Sequence, residues 1–578
     1  MFLPATKEEV KKLGWNKLDV ILISGDSYID SPFIGISVIG KLLLAHGYRV
    51  GIIAQPDINS SQDVTRLGEP ELFWGVSGGS VDSMVANYTA SKKKRKQDDF
   101  TPGGENNKRP DRAVIAYSNL IRRNFKNTKP IVLGGIEASL RRVTHYDFWS
   151  DKLRRSILLD AKADYLVYGM GEKAILEIAA KLKKKKSAEQ VKGVCYLSDK
   201  PKYEYIQLPS FEDCVKSKGS FTEMFNMFYQ NNDPITARGL YQQTGERYLI
   251  QNPPQDNPTV EEIDSYYGLD YERELHPHYA KEGKVRALDT IRFSITTHRG
   301  CYGECNFCAI AVHQGRTIIS RSKKSILNEA EQFNKHKKFK GSISDVGGPT
   351  ANMYAYECDK KLKLGVCNDK RCVFPDTCKA LKPTHKPQID LLKDIQKIVG
   401  VKKVFVASGI RYDLVADDKE YGYEYLKQVV SKHTSGQMKI APEHSNDKVL
   451  ELMGKPGKKS LEKFKDMFYK YSKEAGKEQY LTYYFIAAHP GCSEKDMESL
   501  KEFASEKLAV TTEQVQIFTP TPSTYSTLMY YTEIDPFTGE KIFVEKTQSG
   551  KEKQKNIIVP KTDKRKSQKN KLGKRKKR

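Results

Sequence analysis

The chain has 578 residues, 38% hydrophobic and 10% aromatic, enough to bury more than one core, so two or three domains are expected. Lys and Arg outnumber Asp and Glu 97 to 72, for a net charge of +25; residues 551–578 hold fourteen of these cations against two acids, 14 − 2 = +12. No apolar run approaches the ~20 residues that span a bilayer, and "MFLPATKEEVKKLGWNKLD" turns charged at once. Ten cysteines in so long a chain do not make a secreted disulfide framework, so a soluble, cytoplasmic protein with no membrane partner is expected.

The first stretch alternates apolar runs with turn chemistry. "KLDVILISGD" (17–26) predicts a buried strand, "FIGISVIGKLLLAHG" (33–47) an amphipathic helix stopped by glycine, and "YRVGIIAQ" (48–55) the next strand. "ELFWGVSGGSV" (71–81), "PIVLGGIEAS" (130–139) and "ADYLVYGMGE" (163–172) continue the pattern of strand and glycine-rich turn. This predicts an α/β, Rossmann-like N-terminal domain over residues 1–190, with any ligand at the strand ends. Residues 87–114, polar and broken by Pro and Gly, predict a loop or insertion. From 191 to 285 the pattern weakens to an irregular connector.

Alternating elements resume at 286 and run to 540. Six strand candidates, at 290–297, 341–346, 402–408, 437–441, 479–486 and 513–518, are separated by helix-period segments such as 389–399, 423–432 and 496–508. Six βα repeats predict a partial (β/α)6 TIM-like barrel, in which chemistry sits on loops after the strands. Residues 541–578 predict a basic tail with too few apolar residues to order itself. Such a tail either contacts RNA through its phosphates or only aids solubility.

After the first of these strands, "HRGCYGECNFCAI" (298–310) places Cys301, Cys305 and Cys308 within eight positions. Three thiolates suit a zinc closed by a fourth ligand, or an iron–sulfur cluster with one iron left open. After the second strand, Gly347 and Gly348 free the backbone for close approach of a ligand, or simply form a turn. Just beyond, Cys358, Cys367, Cys372 and Cys378 put four thiolates within 21 residues, which argues for metal. The spacing does not separate zinc from a second [4Fe-4S] cluster. Its place on a catalytic-end loop favours the cluster.

Arg411 and Asp413 follow the third strand, Glu443 and His444 the fourth, and His489 the fifth. These groups either hydrogen-bond cofactor or substrate, or pair among themselves. His298, Arg299, His313, Gln314 and Arg316 flank the cysteine loop and are expected to order it. Cys195, Cys214 and Cys492 read as single thiols. No residue is assigned a direct catalytic role.

C-x3-C-x2-C with Phe307 before the last cysteine resembles the signature of the radical S-adenosylmethionine enzymes. Longer strings, among them "TKEEVKKLGWNKLDVILISGDSYIDSPFIG", "GGIEASLRR", "THYDFWSDKLRRSI", "THRGCYGECNFCAIAVHQGR", "DVGGPTANMY", "FPDTC", "SGIRYDL", "KIAPEH" and "HPGC", resemble the YgiQ-type group within that superfamily, whose function is uncharacterised. The resemblance covers the chain to about residue 535. It implies that Cys301, Cys305 and Cys308 hold a [4Fe-4S] cluster whose open iron takes S-adenosylmethionine. It further implies that Gly347 and Gly348 meet the cofactor's methionyl amino group, with Arg411, Glu443 and His489 as further cofactor-binding candidates. Reductive cleavage of S-adenosylmethionine, hydrogen abstraction from an unknown substrate, and an electron donor such as flavodoxin or ferredoxin follow. The other reading is a non-catalytic iron–sulfur or zinc protein serving as an RNA-binding or regulatory module.

The N-terminal sheet also resembles the cobalamin-binding domains that precede many such barrels. Where their metal-ligating members carry D-x-H-x-x-G, this chain has Asp30, Ser31, Pro32, Phe33, Ile34 and Gly35. Proline offers no metal ligand, so cobalamin is not expected.

Overall fold

The computed structural model describes residues 1–509 and 515–559. The N-terminal half is built on strands β1 (Val20–Ser24), β2 (Val50–Ala54), β3 (Phe73–Ser77), β4 (Ile131–Gly134) and β5 (Tyr165–Val167). They lie parallel in the order 2-1-3-4-5. Their near-continuous apolar runs follow from burial on both faces: every residue of β1, β2 and β3 is buried. Helix α1 (Gly35–Ala45) packs Val38, Leu42 and Leu43 inward, α2 (Ala113–Asn124) packs Val114, Tyr117 and Ile121, and α3 (Glu172–Lys183) packs Ile175, Ile178 and Ala179. These three- and four-residue spacings place one apolar stripe on the sheet, each large side chain contributing about 1.5–3 kcal/mol on full burial. The strand order reverses between β1 and β3, where an open sheet leaves a crevice at its strand ends.

The sheet does not stop at residue 190. Strands β6 (Val194–Ser198), β7 (Ile206–Leu208), β8 (Leu240–Thr244) and β9 (Arg247–Gln251) extend it to nine strands, β6 running antiparallel to β5, and β9 antiparallel to both β6 and β8. The expected irregular connector at 191–285 is therefore corrected for residues 194–251. Its strands are short and carry polar residues such as Gln242 and Gln251, which hide the period from an apolar search.

The second half holds β10 (Ser294–Thr296), β11 (Ser342–Ile343), β12 (Asp345–Gly347), β13 (Lys403–Val404), β14 (Gln437–Glu443), β15 (Tyr480–Ala487) and β16 (Val515–Ile517). Parallel pairings join β10 to β12, β11 to β13, β14 to β15 and β15 to β16, and Ile410 bridges Ile440 in parallel. Helices Lys386–Gln396, Lys459–Glu474 and Glu494–Glu506 bury Ile389, Leu392, Phe464, Phe468, Met497 and Leu500 in a core with Val346, Ile440 and Phe485. All six strand candidates of this half coincide with observed strands.

The tail expected to be disordered from 541 is corrected in its first part. Gln548–Ile558 is a helix capped by Thr547 and buries Lys551, Gln554 and Ile558. Gln554 Nε2 donates to Cys492 O at 2.9 Å and Lys551 Nζ to the Tyr530 hydroxyl at 2.8 Å. Residues 560–578 lie outside the described residues. Among the described residues, no helix is long and apolar enough to cross a membrane.

Candidate cluster and cofactor site

The three-cysteine loop begins at a tight turn. Gly300 has φ +83°, and a Cβ there would stand 2.1 Å from Thr317 O, so only glycine fits. Cys301 N donates to Gly315 O at 3.2 Å and Cys308 N to Cys305 O at 3.0 Å. Gln314 Oε1 accepts from Gly300 N at 3.2 Å, and Arg316 pairs with Glu304 at 3.2 Å. The flanking polar residues therefore shape the loop by direct hydrogen bonds. All three thiols are free and half-buried. Burial pushes the Cys308 thiol up to about 12 and raises Cys305 against the pull of Lys455 and Arg411. A metal ligand must be a thiolate, so loading this site releases protons.

The Gly347–Gly348 turn lies against this loop. Thr297 N and Oγ1 both donate to Gly347 O, at 2.7 and 3.1 Å, and Cys301 Sγ is 3.6 Å from Thr350 Oγ1. A Cβ on Gly348 would stand 2.5 Å from the His298 ring, so this glycine makes room for an imidazole. His298 Nδ1 meets Thr297 Oγ1 at 2.8 Å, and burial pulls its pKa down to about 4, leaving a neutral ring.

Arg411 reaches the same loop. A Cβ on Gly303 would stand 2.8 Å from Arg411 Nη1 and 3.2 Å from Cys301 Sγ. Its Nε donates to Asp413 Oδ1 at 3.1 Å, and its main-chain N to Asn352 Oδ1 at 2.8 Å. Glu443 ends β14 at φ +67°, buried, with Lys455 Nζ 3.7 Å from its carboxylate; burial raises its pKa. His489 is placed otherwise. Nδ1 is 2.8 Å from Pro490 O and Nε2 2.6 Å from Ser526 Oγ, so both ring nitrogens are committed within the fold. Its ring meets Phe307 edge-on at 6.3 Å, bracing the cysteine loop from behind. His444 Nε2 stands 3.6 Å from the buried Cys492 thiol.

The four-cysteine segment folds onto the first. Cys358, Tyr302, Tyr356, Val373 and Leu381 form one apolar nest, with Cys301 and Cys372 packed against it. Lys361 Nζ donates to Arg316 O at 2.8 Å and stands 3.6 Å from Cys372 Sγ. Arg371 donates to Glu304 O at 3.1 Å and Asn306 Oδ1 at 2.8 Å, on either side of Cys305. Sequence reasoning missed Lys361, Arg371 and Lys455, because a cation in a lysine-rich stretch reads as solvated surface. Among the described residues, no three His, Cys, Asp or Glu side chains converge as a single ion requires. A zinc would draw sulfurs to about 2.3 Å from one point, whereas a four-iron cluster carries each thiolate on its own iron.

Above the glycine turn, a cavity of about 500 Å³ separates the two halves of the chain. Ser24, Asp26 and Gly134 line it from the strand ends of the sheet, and Thr296, Gly347 and Ser408 from the other side.

This pairing of an open sheet with a three-cysteine loop beside a glycine turn defines the radical S-adenosylmethionine class. Family models agree: "Radical SAM N-terminal" matches residues 2–294 and "Radical SAM superfamily" residues 295–504. A UPF0313 protein of Fusobacterium nucleatum is 60% identical over 98% of this chain and 100% of its own length. A UPF0313 protein of Thermotoga maritima is 49% identical over 97% of this chain and 98% of its own. The chain belongs to the UPF0313 family of the radical S-adenosylmethionine superfamily, with which the YgiQ-type resemblance is consistent, and is an enzyme of that class.

Similar solved structures include the radical S-adenosylmethionine methyltransferase TsrM of Kitasatospora setae with cobalamin and a [4Fe-4S] cluster bound, at 12% identity and TM-score 0.48 over 88% of this chain and 76% of that one. The cobalamin-dependent enzyme OxsB aligns at 13% identity and TM-score 0.49 over 93% of this chain and 58% of its own. The expectation that cobalamin is absent is corrected by these comparisons, since the structures found are of cobalamin-dependent enzymes. Pro32 removes one axial ligand from one loop; the crevice at the strand ends remains.

Proposed function

We propose that this protein reductively cleaves S-adenosylmethionine on a [4Fe-4S] cluster held by Cys301, Cys305 and Cys308, and abstracts hydrogen from a substrate still to be identified. The observation that carries this is the approach of Cys301 to the Gly347–Thr350 turn, 3.6 Å at Thr350, which sets three thiols beside a glycine backbone at one set of strand ends. The six parallel strand segments are read as a partial (β/α)6 barrel, whose C-terminal loops carry the chemistry.

When bound, the cluster supplies one electron to the sulfonium, giving methionine and a 5′-deoxyadenosyl radical. The chain's own residues position and enclose. Gly347 and Gly348 present main-chain groups to the cofactor's amino-acid end. Arg411, held by Asp413, and Glu443, held by Lys455, supply charge beside the cysteine loop. Residues Tyr302 and Tyr356 exclude water behind it.

Cys358, Cys367, Cys372 and Cys378 hold a second metal in this reading, an auxiliary [4Fe-4S] cluster in preference to zinc. An electron donor such as flavodoxin or ferredoxin supplies the electron in the cytoplasm, and the basic residues at 560–578 contact RNA. A corrinoid, as in the cobalamin-bound structures above, occupies the cavity between the halves. Anaerobic reconstitution followed by assay of iron, sulfide and 5′-deoxyadenosine tests the core of this reading; no cluster and no cleavage would overturn it.

A further inference from the structure

We infer that Gly134 and Gly35 form the open floor of a corrinoid site in the cavity between the two halves. This rests on the corrinoid reading above and assigns this chain's own residues to it. Nine glycines line the cavity. Gly79, Gly135 and Gly169 have φ of +109°, +80° and +73°, a region that favours glycine. Four more are crowded, as Gly348 is by His298. Gly134 and Gly35 have neither reason. A Cβ on either meets nothing within 4 Å, and Gly134 stands at φ −158°, ψ −177°, extended backbone that any residue adopts. Glycine weakens strands and helices through its unfolded-state freedom. Two such positions, unneeded by the fold and facing one cavity, keep a space clear for something bulky.

The lining says what kind. Leu22, Ile36, Ile39 and Val132 make the walls apolar. Arg299 is the only Lys or Arg among the described lining residues, and it is committed to Glu172 at 2.5 Å. Asp26 pairs with Arg109 at 2.7 Å and accepts from Ser80 N, and Asp345 accepts from Ala407 N at 2.7 Å and Ser408 N at 3.1 Å. A polyphosphate would find no free side-chain cation here. A broad, largely apolar macrocycle rimmed with carboxamides would find apolar walls and carboxylate acceptors for its N–H groups. With Pro32 on the first loop, that loop offers the metal no imidazole.

The test uses full-length, reconstituted protein and hydroxocobalamin. After anaerobic incubation and gel filtration, cobalt per chain and the visible spectrum are measured for wild type, Gly134→Ala, Gly134→Leu and Gly35→Leu. Wild type should retain close to one cobalt per chain. Gly134→Leu should weaken retention about tenfold or more, as overfilling a packed site does, and Gly134→Ala less, with iron content and thermal unfolding unchanged in both. Wild type that retains no cobalt, or leucine variants that retain it as wild type does, would overturn the proposal. Loss of iron and of cofactor cleavage in wild type would instead indict the cluster reading, so the two failures are distinguishable.

Discussion

Arg299, two residues before Cys301, donates through Nη1 to the Glu172 carboxylate at 2.5 Å, across the junction between the cysteine loop and helix α3 of the N-terminal sheet. Both side chains are buried, at 8% and 6% exposure, and Nε donates to the Tyr267 hydroxyl at 3.0 Å. A buried guanidinium left without its carboxylate retains a desolvated charge. Glu172→Gln should therefore cost about 3–5 kcal/mol of stability, read as a lowered urea midpoint. A loss below about 1 kcal/mol, the range of a surface pair, would show that the junction does not depend on this ion pair.

The first cluster depends on each of its three thiols. Cys305→Ala should lower iron by about four per chain, the content of one such cluster, and abolish cleavage, with far-ultraviolet circular dichroism unchanged. Retained cleavage in this variant would remove Cys305 from the ligand set.

The Cys358–Cys378 segment should load independently. Protein with Ala at 301, 305 and 308 should retain about four iron and four sulfide per chain if the second site is a [4Fe-4S] cluster, or about one zinc if it is mononuclear. Folded protein with neither metal would leave these four cysteines as free thiols.

Acid should destabilise the fold in a defined window. Burial pulls the pKa values of His145, His433 and His444 down to about 4 and that of His489 to about 3. As pH falls below the ordinary value of about 6.5, the unfolded chain takes up protons that these folded imidazoles refuse. Stability present above pH 6.5 should thus be lost progressively toward pH 4, by up to about 1.4 kcal/mol per pH unit for each histidine. Urea titrations at pH 7.5, 6.0 and 5.0 check this; equal midpoints at all three would contradict it.

The carboxy-terminal residues should divide into two functions. Removing 560–578, eleven cations and one acid, should spare cofactor cleavage and weaken RNA binding most at low salt. Removing 548–578 should also lower the melting temperature, because Gln554 and Lys551 pack against Cys492 and Tyr530. Equal RNA binding by full-length and 1–559 protein would deny the tail this role.

What the sequence disclosed follows from how each residue is solvated. β1 through β5 are buried on both faces and read as apolar runs, and the cysteine spacing is local. β8 and β9 carry glutamines whose partners are distant: Gln242 Oε1 accepts from Thr144 N at 3.0 Å and Gln251 Oε1 from Arg142 Nε at 3.0 Å, pairings that no local window contains. Charge composition misjudged Gln548–Ile558, since a helix needs only Lys551, Gln554 and Ile558 on one face to dock. Gly348 read as open backbone, but its missing side chain is filled by the ring of His298, fifty residues earlier.

The most direct test of the central claim is the release of 5′-deoxyadenosine from S-adenosylmethionine by reduced, anaerobically reconstituted protein, compared with the variant carrying Ala at 301, 305 and 308. The account predicts release by wild type and none above background by the variant. Equal release by both, or none by wild type carrying a full cluster, would contradict it.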